Sequence, residues 1–169
     1  MSLEQHKGAA PARLRFAVIT ISDTRDASTD RGGPYLVERV EGAGHAVARR
    51  EIVRDERAEI EAAVRAAVGD AGVDLVLTTG GTGIAPRDVT YDTLRALFDS
   101  EIPGFGELFR MLSYQQIGAA ALLSRAVGGV LGGKVVLAMP GSPKALALAM
   151  DEIVLREAAH LVQQTRARA

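Results

Sequence analysis

The chain has 169 residues, 47% of them hydrophobic and 24% charged, with a formal net charge of −1 at pH 7. That composition belongs to a single globular domain with a substantial core, and the near-neutral charge gives no footing for nucleic acid or for an acidic membrane surface. The chain contains no cysteine, which excludes disulfides, thiolate nucleophiles and Cys-ligated metal centres.

Residues 1–13 carry no apolar signal-peptide core and read as a flexible tail ahead of one domain over residues 14–169. No apolar run reaches the roughly 18 residues that span a bilayer, so a cytoplasmic protein is expected. Residues 15–21 (RFAVITI) are β-branched and apolar, the mark of a central strand. Residues 22–33 are polar and form a loop. Pro34 then suits the first turn of a helix that stops at Gly42 or Gly44. Residues 45–53 read as a second strand, and Asp55 stands where the next helix begins, with Ile60, Val64 and Val68 on one buried face. Residues 73–79 are the third strand.

Thr90 is placed to cap a short helix through Leu97 with Asp92 in its first turn. Ile102-Pro103-Gly104 breaks that helix, residues 105–117 are helical, and residues 119–124 either continue the helix or form another short one. Residues 127–131 read as a short strand closed by Gly132-Gly133, and residues 134–139 (KVVLAM) as a clear strand. Helices follow from Lys144 towards Gln164, with Leu146, Met150, Ile153 and Val154 turned inward. Strands alternating with helices predict an α/β fold, a three-layer α/β/α sandwich around a mostly parallel sheet.

Chemistry concentrates at the predicted strand ends. Thr78-Thr79-Gly80-Gly81-Thr82-Gly83 leaves the third strand with more glycine and hydroxyl than a plain turn needs. It matches neither a Walker A loop nor a dinucleotide fingerprint. It reads either as a phosphate-binding loop, with backbone N–H groups turned to an anion, or as a tight turn packed on a helix. Asp88, just beyond it, is either a cap or ion-pair partner of Arg87 or a ligand for Mg²⁺ on nucleotide phosphates. Asp55 caps a helix or shares that metal site. Ser22 and Asp23, at the exit of the first strand, touch a ligand or cap the loop. Pro140-Gly141-Ser142-Pro143-Lys144 is a rigid strand-to-helix turn or a second anion site in which Lys144 supplies charge. His6, His45 and His160 lack any metal-site spacing and read as incidental.

In their order, these pieces resemble the MoaB/Mog family of molybdenum cofactor biosynthesis proteins, also found as the G domain of gephyrin. The resemblance is carried by Ile21-Ser22-Asp23-Thr24-Arg25, Asp55, the residue 78–83 loop, Arg87-Asp88-Val89-Thr90, Pro103-Gly104-Phe105-Gly106-Glu107 and Pro140-Gly141-Ser142-Pro143-Lys144-Ala145. It covers nearly all of the chain after about Arg13. Residues 109–113 and 138–142 look closer to MoaB than to Mog, and Tyr91 stands where the family more often has Pro.

The resemblance implies Mg²⁺-dependent adenylation of molybdopterin by ATP, with release of pyrophosphate, on a trimer or hexamer of identical chains. It makes Asp55 and Asp88 the catalytic, metal-holding pair. Ser22, Asp23, Thr79, Gly80, Gly81, Thr82, Gly83, Thr90, Pro140, Gly141, Ser142 and Lys144 would meet the substrates. The alternative is a protein of the same pathway that binds or delivers the pterin without turnover. A general nucleotide-binding regulator ranks below both. In-line transfer to the substrate's own phosphate needs no protein nucleophile, which agrees with a chain without cysteine.

Overall fold

A computed structural model describes residues 11–166, so residues 1–10 of the expected tail lie outside the described residues. The elements run β1 (Arg15–Ile21), α1 (Gly32–Gly42), β2 (Ala46–Val53), α2 (Arg57–Gly69), β3 (Leu75–Thr79), α3 (Thr90–Leu97) and β4 (Ser100–Glu101). They continue with α4 (Pro103–Ile117), a 3-10 turn (Gly118–Leu123), β5 (Val127–Leu131), β6 (Lys134–Met139), α5 (Pro143–Ala149), a π turn (Met150–Val154) and α6 (Leu155–Arg166).

The strands form one sheet in the order β2-β1-β3-β6-β5-β4. Strands β2, β1, β3 and β6 are parallel, while β5 runs antiparallel to β6 and β4 antiparallel to β5. The mostly parallel α/β/α sandwich read from the sequence is therefore what the chain forms.

Every residue of β1 after Arg15 is buried, because the sheet is covered on both faces. Phe16 and Val18 face a core shared with Leu36 of α1, Phe109 of α4, Leu146 of α5 and Val162 of α6. Ala17 and Ile19 face a second core with Ile60 and Val64 of α2 and Leu94 of α3. From β1 the chain moves outward to β2, then crosses back to β3 on the other side of β1. The order therefore reverses between β1 and β3, and a ligand crevice is expected outside their carboxyl ends.

Several local expectations are corrected. The loop after β1 ends at Arg31 and not Gly33, because α1 begins at Gly32, although Pro34 lies in its first turn and it stops at Gly42 as expected. Helix α2 begins at Arg57 behind Glu56, so Asp55 does not cap it, and its buried face is Ile60, Ala63, Val64 and Ala67. Thr90 is not a cap either. The N-cap of α3 is Val89, and Thr90 is the first helical residue with its side chain fully buried. Helix α3 ends at Leu97 with Phe98 already extended and β4 follows it, so Ile102-Pro103-Gly104 does not break that helix; Pro103 opens α4, where its missing N–H costs nothing at a first helical position. The inward set Leu146, Met150, Ile153 and Val154 is buried as expected, but across α5 and a π turn rather than one straight helix.

Candidate functional site

A cleft of about 680 Å³ opens at the carboxyl ends of β1, β3 and β6. Of the residues proposed from sequence, Ser22, Thr79, Gly80, Gly81, Thr82, Gly83, Asp88, Pro140, Gly141 and Ser142 line it. Three stretches far apart in the chain thus meet at the switch point.

The loop after β3 depends on glycine at two positions. Gly80 has φ 106°, and a Cβ there would lie 2.1 Å from the Ile21 carbonyl oxygen. Gly81 has φ 64°, and a Cβ there would lie 2.1 Å from Thr90 Oγ1 and 2.6 Å from Asp55 Oδ2. Only glycine takes this path without strain and clash. Gly80 N–H donates to the Met139 carbonyl at 3.0 Å and Thr79 Oγ1 donates to the Pro140 carbonyl at 3.3 Å, which ties the loop to the β6 exit. Among the described residues, the N–H groups of Gly81, Thr82 and Gly83 have no protein acceptor. Consecutive unspent N–H groups on a left-handed turn form a natural seat for an anion.

Asp55 lies directly behind this loop and is only 6% exposed. Its Oδ1 accepts from Val89 N–H at 3.2 Å, and its own N–H donates to Asp23 Oδ1 at 3.2 Å. Burial pushes its carboxyl above the ordinary aspartate value, and the charges of Asp88 and Asp23 push the same way. Asp88 accepts from Ala85 N–H at 3.0 Å and faces the cleft.

Asp23 stands beside the cleft rather than on its wall. It is held by Arg87 at 2.6 and 2.7 Å, a contact that lowers its carboxyl, and Arg87 also reaches Glu56 at 2.9 Å. Thr90 is under the glycine loop, and its buried Oγ1 has no hydrogen-bond partner. Lys144 lines a smaller apolar cleft between α4 and α5 instead of the main one. Ser142 Oγ accepts from Ala145 N–H at 3.3 Å, capping α5.

Other wall residues were not singled out from sequence. Arg25 and Arg31 bring positive charge to the rim, and Phe109, Ser113 and Ile117 of α4 supply a partly apolar wall. Asp30 anchors the start of α1, taking Thr20 Oγ1 at 2.9 Å, Arg50 at 3.0 Å and Gly33 N–H at 3.1 Å. Burial alone would raise its carboxyl, but these donors together lower it. Its spacing, three residues ahead of Gly33, was the available signal. Of the histidines, His6 lies outside the described residues. His45 packs on Phe16 and His160 on Glu157, both away from the cleft.

The sequence pattern described as a probable molybdopterin binding domain matches residues 17–160. The chain belongs to the MoaB/Mog family of molybdenum cofactor biosynthesis proteins. It is 51% identical over 162 residues to molybdenum cofactor biosynthesis protein B of Bacillus cereus, covering 95% of this chain and 96% of that protein. A crystal structure of a molybdenum cofactor biosynthesis protein B superposes with a TM-score of 0.89 at 50% identity, over 92% of this chain and 98% of the other. The tungsten cofactor synthesizing protein MoaB from Pyrococcus furiosus gives 0.83 at 36% identity, over 93% and 99%. Among the described residues, no helix is long and apolar enough to cross a membrane.

No group of three or more His, Asp or Glu side chains is poised for a metal among the described residues. Two carboxylates that repel each other, with the orphaned Thr90 hydroxyl beside one of them, still fit a hard cation. Mg²⁺ on nucleotide phosphates commonly uses only one or two carboxylates and takes its other ligands from substrate and water.

Proposed function

We propose that this cleft binds molybdopterin and MgATP and transfers AMP to the terminal phosphate of the pterin. A pterin phosphate oxygen attacks the α-phosphorus of ATP, the bond from that phosphorus to the α–β bridging oxygen breaks, and pyrophosphate leaves with the electron pair. Asp55 and Asp88 would hold Mg²⁺, which when bound supplies charge neutralisation at the phosphates.

The observation that carries the reading is the unspent N–H groups of Gly81, Thr82 and Gly83 beside the Asp55–Asp88 pair. The N–H groups meet phosphate oxygens and stabilise charge as it develops, and Arg25 and Arg31 draw the anionic substrates in. Ile117, more than half exposed, offers apolar surface to the pterin side. No protein group needs to form a bond to substrate, so the work of the site is positioning and electrostatics.

The same reading extends to a homo-oligomer, a trimer or hexamer. It is supported by Leu108, Met111, Tyr114 and Ile117, which recur every third residue of α4 and stay exposed together with Leu122 and Leu123. Pyrophosphate release from MgATP by the purified chain, with and without molybdopterin, tests the reaction. Release only with the pterin supports it, and pterin binding without release contradicts it.

A further inference from the structure

Arg125 follows the 3-10 turn and precedes β5, outside the set that the motifs single out. Its guanidinium donates from Nε to the Gly83 carbonyl and from Nη2 to the Asp88 carbonyl, each at 2.7 Å. Its Nη1 reaches Asp92 at 2.9 Å, and its backbone N–H donates to the Thr82 carbonyl at 2.9 Å. One side chain therefore grips both ends of the residue 83–88 segment.

The segment has two anchors. On the core side, Asp55 accepts from Val89 N–H and Gly81 accepts from Thr90 N–H. On the outer side stands Arg125, with Cζ 5.0 Å from the centroid of the Tyr91 ring, a cation–π distance. The Asp88 carboxylate is bonded only inside its own loop, to Ala85 N–H. Its position relative to Asp55 therefore follows wherever the loop is held.

We infer that Arg125 is a positioning residue, a clamp seated on Tyr91 that fixes the Asp88 loop against Asp55 and so sets the spacing of the two carboxylates. The planar guanidinium matters because two carbonyls are held at once, which the point charge of a lysine does not reproduce. Tyr91, where Pro is more frequent in the family, supplies the floor for this fork. The clamp is a property of the folded chain, and its effect on turnover rests on the adenylyl-transfer reading.

The test compares Arg125→Ala, Arg125→Lys, Tyr91→Phe and Tyr91→Pro with the wild type by amide hydrogen exchange over residues 82–89, with β1 and β3 as internal reference. Proline is compatible with Tyr91's place in the first turn of α3, so the ring is removed without breaking the helix. Arg125→Ala and Arg125→Lys are expected to speed exchange in the loop by about tenfold or more, the scale of a lost charge-assisted hydrogen bond, with the reference strands unchanged. Tyr91→Pro should loosen the loop and Tyr91→Phe should not. Where the wild type releases pyrophosphate, Arg125→Ala should raise the Mg²⁺ concentration for half-maximal rate by about tenfold and leave the KM for molybdopterin within about twofold.

Loop exchange within about twofold of wild type in Arg125→Ala, protection restored by lysine, or loosening of loop and strands together overturns the clamp. Should Arg125→Ala not fold, equal protection in Tyr91→Pro and Tyr91→Phe overturns it. A wild type without pyrophosphate release contradicts the adenylyl-transfer reading alone, and hydrogen exchange still decides the clamp.

Discussion

Asp55 Oδ1 accepts a hydrogen bond from the backbone N–H of Val89 at 3.2 Å, so the buried carboxylate holds the residue that directly follows Asp88. The two acidic groups are thereby parts of one support, although 33 positions separate them in sequence. Charge repulsion between them adds to burial in raising the Asp55 carboxyl. The fold thus keeps a local arrangement that disfavours the charged form of Asp55, as functional sites often do.

That cost has a sign. With its folded pKa above the unfolded value, Asp55 favours the native state when protonated, and native stability falls as pH rises through the folded value. Asp55→Asn keeps an acceptor for Val89 N–H and removes the charge. It is expected to melt above the wild type at pH 7, with the difference closing as pH falls towards the unfolded aspartate value, while pterin-dependent turnover is lost. Differential scanning fluorimetry across pH checks the first part and pyrophosphate release the second.

Gly81→Ala should impair both stability and turnover. A side chain at φ 64° costs about 1–3 kcal/mol, and here it also meets Thr90 Oγ1 and Asp55. Gly42→Ala is the control, because its Cβ would enter open space at the end of α1. It should be neutral or stabilise by up to about 1 kcal/mol, through lower entropy of the unfolded chain. Urea denaturation distinguishes the two.

At the opposite end of the sheet, buried Asp74 accepts from Arg15 N–H at 2.7 Å and also meets Arg15 Nε and Arg166. Burial, the largest single influence, raises its carboxyl, but the bonds from Arg15 and the two arginine charges outweigh it, and the net shift is downward. The stability it contributes is present above the unfolded aspartate pKa and lost as pH falls through the lowered folded value. Asp74→Asn should cost about 1.5–3 kcal/mol at pH 7, less in acid, and leave turnover intact below the melting transition. Thermal unfolding at several pH values checks it.

The exposed apolar side chains of α4 give a further expectation. Replacing Met111 and Tyr114, both more than half exposed, with Glu should shift the proposed homo-oligomer towards monomer in sedimentation velocity, because charge at the centre of an interface is left desolvated. An unchanged sedimentation coefficient contradicts that placement of the interface.

The parts of the fold that were legible in the sequence are those where burial is two-sided. Strands β1, β3 and β6 are almost continuously apolar because helices cover both faces of the sheet. Strand β4 left no trace, since Ser100 and Glu101 are exposed and only two residues long. The glycine loop was legible because positive φ demands glycine. The seating of Asp55 behind Gly81 was not, since it follows from how β2, α2 and β3 are threaded. Local chemistry suits Thr90 and Asp55 as caps, but tertiary contacts with Gly81 and Val89 claim them instead. Arg125 carries no motif at all. Its partners are carbonyls, and sequence does not say where carbonyls point.

The most direct measurement is pyrophosphate release from MgATP by the purified chain, with and without molybdopterin, in the wild type and Asp88→Asn. The expected result is release that requires the pterin and disappears in the variant while pterin binding persists. Wild-type protein that binds molybdopterin and releases no pyrophosphate contradicts adenylyl transfer and leaves a pterin carrier in its place.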